Sequence, residues 1–94
     1  MMNTEQKNRA EARLSRIEGQ VRGIRRMVQE DRYCIDILTQ TAAVVSALRG
    51  VEDMIMAQHL QTCVVDAMRS NDSREKEQKI EEVLTVISKF RKHG

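Results

Sequence analysis

The chain contains no proline, and a second helix is predicted from about Tyr33 to about Met68. Proline fixes φ and removes a backbone donor, so its absence lets helices run long. A helix of that length is long for a globular domain and suits an antiparallel bundle. A first helix is predicted from about Thr4 to Gln29. There Ala10, Leu14, Ile17, Val21, Ile24 and Val28 recur at spacings of 4, 3, 4, 3 and 4. That recurrence is a heptad seam, suited to lie against another helix. A third helix, from about Ser73 to Arg91, carries the stripe Ile80, Val83, Leu84, Ile87 and Phe90. Asp31 reads as the N-cap of the second helix, and Asp72 with Glu75 as a capping box opening the third. Gly19 and Gly23, one turn apart, either leave a groove for another backbone or are merely tolerated. No segment alternates as a strand does. The expected protomer is all-α, with three helices in a single domain spanning residues 1–94.

A chain of 94 residues buries a modest share of its surface alone, so association is expected. It has no unbroken apolar run of about 18 residues, which argues against a membrane span. The segment Met1 to Lys7 lacks the apolar stretch of a secretory signal. The expected location is therefore cytoplasmic. In that compartment two cysteines point to ligands or redox groups rather than a structural disulfide. Aromatic residues make up 2% of the chain, as Tyr33 and Phe90, which argues against a reader that stacks bases. The net charge of +2 is uneven: residues 1–32 carry +3, residues 33–72 carry −3 and residues 73–94 carry +2. That split suggests a central segment for assembly and basic flanks for an anionic partner.

Cys34, His59 and Cys63 fall at about 160°, 140° and 180° on the wheel of the second helix, one narrow face. His59 and Cys63 are four apart and so neighbour each other. Cys34 is 25 residues before His59, about 37 Å along a continuous helix. One straight helix cannot bring all three to one ion, but two antiparallel copies can. The same face continues through Leu38, Thr41, Val45, Leu48, Glu52 and Met56. If two copies cross near residue 48, Cys34 of one meets His59 and Cys63 of the other, giving two identical shared sites per dimer. Two thiolates and one imidazole form a soft three-coordinate set that favours Cu(I); Zn(II) usually takes a fourth ligand. Two other readings stand beside this one. Cysteines also serve as small core residues, and two thiols across an interface can form a disulfide or polysulfide. The methionines at 54, 56 and 68 sit at packing positions, and His93 reads as a solvated tail residue.

On the first helix Arg9, Arg13, Arg16 and Gln20 share a narrow strip beside the seam, at about 160–220° on the wheel. Such a strip is either a solvated face or a set of phosphate contacts multiplied by symmetry. Lys89, Arg91 and Lys92 can add to it.

These residues together resemble the copper-sensing repressors of the CsoR type, within a wider family of nickel/cobalt, formaldehyde and persulfide sensors. The resemblance runs from about Arg9 to Phe90. It is carried by Arg13-Leu14-Ser15-Arg16-Ile17-Glu18-Gly19-Gln20-Val21-Arg22-Gly23-Ile24, by Tyr33-Cys34 and by His59-Leu60-Gln61-Thr62-Cys63. It implies an antiparallel helical-bundle dimer that assembles into a tetramer. It implies metal ligation by Cys34, His59 and Cys63, backed by Tyr33 and by Glu82 or its neighbour Glu81. It also implies contact with double-stranded operator DNA through Arg13 and nearby residues. The family's basic position in the middle of the second helix has no clean counterpart: Arg49 is near it and Gly50 stands in its place. Within the family, His59 favours Cu(I) over sulfur chemistry, and the absence of a histidine near the N-terminus disfavours nickel and cobalt.

The expected function is a Cu(I)-responsive repressor that binds its operator as the apo form and releases it on Cu(I) binding. A persulfide- or polysulfide-responsive repressor acting through Cys34 and Cys63 is the first alternative. A structural helical oligomer without a DNA role is the second. No paired acid and base suggests an enzyme.

Overall fold

A computed structural model describes residues 2–91. They form three helices: α1 (Thr4–Gln29), α2 (Cys34–Arg69) and α3 (Ser73–Arg91). No strand occurs among the described residues. The all-α class and the predicted boundaries hold to within a residue. Lys92 and His93 lie outside the described residues.

Asn3 opens α1. Its side chain accepts the Gln6 N–H at 2.8 Å, and Gln6 Oε1 accepts the Asn3 N–H at 2.9 Å, a reciprocal capping box. The helix closes in a Schellman motif: Asp31 N–H donates to the Val28 carbonyl at 3.2 Å and Arg32 N–H to the Met27 carbonyl at 3.0 Å. Asp31 has φ 53°, in the left-handed region. The N-cap role expected for Asp31 is therefore corrected: it ends α1 rather than starting α2. The short polar side chain that suits an N-cap also tolerates the left-handed region. α2 starts instead behind Tyr33, whose carbonyl accepts from Asp36 N–H at 3.0 Å and Ile37 N–H at 3.2 Å.

At α3, Asp72 is the cap, its carboxylate accepting the Arg74 N–H at 2.9 Å. The other half of the expected capping box is relayed. The Ser70 hydroxyl accepts the Asp72 N–H at 3.1 Å and donates to Glu75 Oε2 at 3.0 Å.

The chain forms two compact units, residues 2–56 and residues 57 onward, with α2 contributing to both. In the first unit Ile17, Val44 and Val51 are buried together, with Ile24 and Ala47 packed on them. Only half of the α1 seam is covered. Ala10 and Ile17 are buried and Ile24 half-buried, at intervals of seven, whereas Leu14, Val21 and Val28 are exposed. α2 divides in the same way: Val44 and Val51 face inward, and Leu38, Val45 and Leu48 are exposed. On that exposed face Thr41 donates its hydroxyl to the Ile37 carbonyl at 2.9 Å. A helix apolar on more than one side is built to be covered on more than one side.

By length and composition α2 is apolar enough to cross a membrane, a point that the lack of an unbroken apolar run did not anticipate. However, Arg49, Glu52 and Asp53 fall at its middle, where a spanning helix would hold them at the bilayer centre. Among the described residues, Gly19 and Gly23 bring no other backbone close. A Cβ at Gly19 would meet only the Arg22 guanidinium at 3.7 Å, and one at Gly23 would meet nothing within 4 Å.

Candidate metal centre

In the unit from residue 57 onward, one turn of α2 separates His59 from Cys63, and helix geometry brings their side chains together. His59 Nε2 lies 3.4 Å from Cys63 Sγ. α3 sets Glu82 against the same ring, with Oε1 3.5 Å from Nε2. Cys63 is buried, the His59 side chain is 20% exposed and that of Glu82 48% exposed. The three potential donor atoms lie within 4.8 Å of one another.

Of Glu81 and Glu82, it is Glu82 that lies against the ring. Its chemistry differs from that of its neighbours. A thiolate and an imidazole are soft or intermediate donors, whereas a carboxylate is hard and suits other ions. Glu82 is therefore better placed to accept a hydrogen bond from His59 than to join them on a soft ion. One ring nitrogen cannot serve the thiol and the carboxylate at once, so Nε2 has two competing neighbours.

Cys34 is the first residue of α2, exposed, in the other unit and outside this group. Both cysteines are free thiols. Tyr33 is exposed beside it. On α1, Arg9, Arg13 and Arg16 are exposed. Gln20 is half-buried, and its Oε1 is buried without a hydrogen-bond partner. Arg13, Arg16 and Gln20 border a recess whose far side is Ser46, Ala47 and Gly50 of α2. Sequence reasoning found the arginines but not this footing; the signal was the run of small residues at 46, 47 and 50. It also missed Ser70 as the relay that ties α3 to the end of α2.

Residues 6–89 match the sequence profile of the metal-sensitive transcriptional repressors. The chain belongs to that family. Within these repressors it is 47% identical over 90 residues to the copper-sensing transcriptional repressor CsoR of Bacillus subtilis, covering 96% of this chain and 86% of the relative. It is 55% identical over 65 residues to the copper-sensing transcriptional repressor RicR of Mycobacterium tuberculosis, covering 69% of this chain and 68% of the relative. Its fold is similar to the crystal structure of the copper-sensing repressor CsoR with Cu(I) from Geobacillus thermodenitrificans. That match has a TM-score of 0.83 at 41% identity and covers 97% of this chain and 92% of the other. All three are named as repressors.

Proposed function

We propose that this metal-sensitive repressor responds to Cu(I), binding operator DNA as the apo form and releasing it when the ion is bound. The observation that carries the reading is the buried Cys63 thiol 3.4 Å from His59 Nε2, with Glu82 Oε1 3.5 Å from the same ring nitrogen. The soft donors fit a soft ion, and copper-sensing repressors are among the relatives.

In this reading His59 and Cys63 are two ligands, and the partner subunit's Cys34 is the third. The uncovered stripe of Leu38, Val45 and Leu48 is the surface along which a second α2 lies antiparallel. The exposed half of the α1 seam joins it, in a dimer that pairs into a tetramer. Bound there, Cu(I) supplies a tie between protomers with few ligands. Cys63 and the partner subunit's Cys34 give up their thiol protons on binding. His59 would bind through one ring nitrogen and leave the other to donate to Glu82 on α3. The partner subunit's Tyr33 arrives beside its Cys34. Arg9, Arg13, Arg16 and Gln20 of α1 meet the phosphates of double-stranded DNA, which puts the protein in the cytoplasm with the chromosome. Release requires only that Cu(I) favour the weakly binding arrangement; tenfold weaker DNA binding corresponds to about 1.4 kcal/mol of coupling.

The two free thiols keep one rival in view, a sensor of reactive sulfur that links Cys34 and Cys63 across subunits. A single experiment separates the two. Reduced, anaerobic protein on its own upstream DNA is titrated with Cu(I) in one series and with inorganic polysulfide in another, with release read by fluorescence anisotropy. Release at one Cu(I) per subunit, abolished by Cys34→Ala, is expected. Release by polysulfide alone makes the protein a sulfur sensor. Absence of DNA binding at low salt removes the repressor mechanism.

A further inference from the structure

Glu52 does not suit the apolar stripe on which it lies. It falls at about 160° on the α2 wheel, the angle of Cys34, within the face that carries Leu38, Val45 and Leu48. Like those three, it is exposed. Val44 and Val51, buried in the cluster with Ile17 of α1, fall at about 60–80°, so Glu52 lies roughly a quarter-turn off the α1 contact. A carboxylate taken out of water at a helix crossing is costly unless a cation meets it. Between Cys34 and His59, Arg49 is the only lysine or arginine. It is exposed and falls at about 220°, on the flank of the same face away from α1.

Twofold symmetry gives this pair a use. When two antiparallel α2 helices cross near residue 48, Arg49 stands beside the axis. The partner subunit's Arg49 then lies on the same flank, about 3 Å further along the helix. Two guanidiniums alone in that position would repel. Glu52 lies about 4.5 Å along the helix from its own Arg49 and about 7.5 Å from the partner subunit's Arg49, within reach of side chains of this length. We propose that Arg49 and Glu52 of both protomers form a neutral cluster of four charges on the dimer axis, which favours the antiparallel crossing. A parallel pairing would set Glu52 directly against its copy, whereas the antiparallel one keeps the two carboxylates about 12 Å apart along the helix. The assignment rests on the reading that two α2 helices cross to share the Cys34, His59 and Cys63 site.

Charge reversal in the apo full-length protein tests the cluster, with dissociation to monomers followed by sedimentation velocity over a dilution series. Circular dichroism checks that each variant is helical. Arg49→Glu puts four carboxylates at the axis, and Glu52→Arg puts four guanidiniums there. Each should raise the concentration at which monomers appear by at least about tenfold, and added KCl should shrink the difference. The exchange of both residues restores neutrality and should return association to within about threefold of wild type. If a reversal fails to fold, Glu52→Gln should give a smaller loss that Arg49→Gln partly regains in the double variant. Reversals that leave association unchanged, or an exchange that associates no better than the single variants, would overturn the cluster alone. The crossing has its own readout. A Cys34→Ala chain mixed with a Cys63→Ala chain should form a covalent heterodimer on oxidation with diamide, seen on a non-reducing gel. A mixture that forms none would overturn the crossing and the cluster with it.

Discussion

In residues 2–56 the buried side chains are Ala10, Ile17, Val44 and Val51, with Ile24 and Ala47 packed on the last three. From residue 57 onward, among the described residues, the buried one is Cys63. Around it Met68, Ile80 and Leu84 are exposed, and the polar contacts of His59 with Cys63 and Glu82 take the place of a core. The difference teaches how one short chain divides its tasks. Apolar burial stabilises the first unit without reference to any ligand. The second unit has little apolar burial of its own, so its order is sensitive to whatever binds its thiol and imidazole. A part that must change on binding a signal belongs at the low-stability end of the molecule.

The largest expected effect tests that contrast directly. Ile17→Ala opens a cavity in the buried cluster and should destabilise the apo protein by about 2–4 kcal/mol in urea unfolding. Ile80→Ala, at a side chain already 56% exposed, should cost less than about 1 kcal/mol. Equal losses would mean that another subunit covers the α3 stripe in solution as firmly as α2 covers Ile17.

A smaller effect, confined to the second unit, is expected of Glu82→Ala. The sulfur ligands and the ring remain, so Cu(I) affinity should fall little in a competition titration. The acceptor for the ring N–H is gone, so the shift in DNA affinity caused by Cu(I) should shrink by roughly tenfold, or about 1.4 kcal/mol of coupling. A variant that still releases DNA as fully as the wild type would show that the signal does not pass through Glu82. His59→Ala gives the companion result, with residual binding through sulfur and weakened release.

Much of this was legible in the residues, and what was not has identifiable causes. The lengths of α1 and α3 follow from caps and stripes that are local, so pattern alone placed them. The pairing of His59 with Cys63 follows from the helical period. The 3–4 seam of α1 is also local, but which half is covered is not. Ala10, Ile17 and Ile24 face α2, while Leu14, Val21 and Val28 differ from them only by where the neighbour lies. Glu81 and Glu82 are about 100° apart on α3, so the choice between them depends on how the turn from Ser70 to Asp72 sets the rotation of that helix. No single-helix pattern encodes that rotation; the Ser70 hydroxyl helps to fix it.

Asp31 is the instructive error, and it yields the smallest prediction. The same residue type serves at an N-cap and in the left-handed C-terminal position of a Schellman motif, and the two roles respond to glycine with opposite sign. At an N-cap, Asp→Gly loses a side-chain acceptor and costs a few tenths of a kcal/mol. At φ 53°, Asp31→Gly relieves the Cβ of its contact with the backbone, a strain of roughly 1 kcal/mol. Part of that gain is offset by the greater freedom of glycine in the unfolded chain. The net expectation is a stabilisation of about 0.3–0.8 kcal/mol, read as a higher midpoint in urea with an unchanged slope. Asp31→Ala destabilises in either role and so serves only as a control. Asp31 is neither a ligand nor a phosphate contact in the proposed mechanism, so DNA release by Cu(I) should be untouched. A lower midpoint for Asp31→Gly would restore the N-cap role and would mean that α2 begins earlier than Cys34.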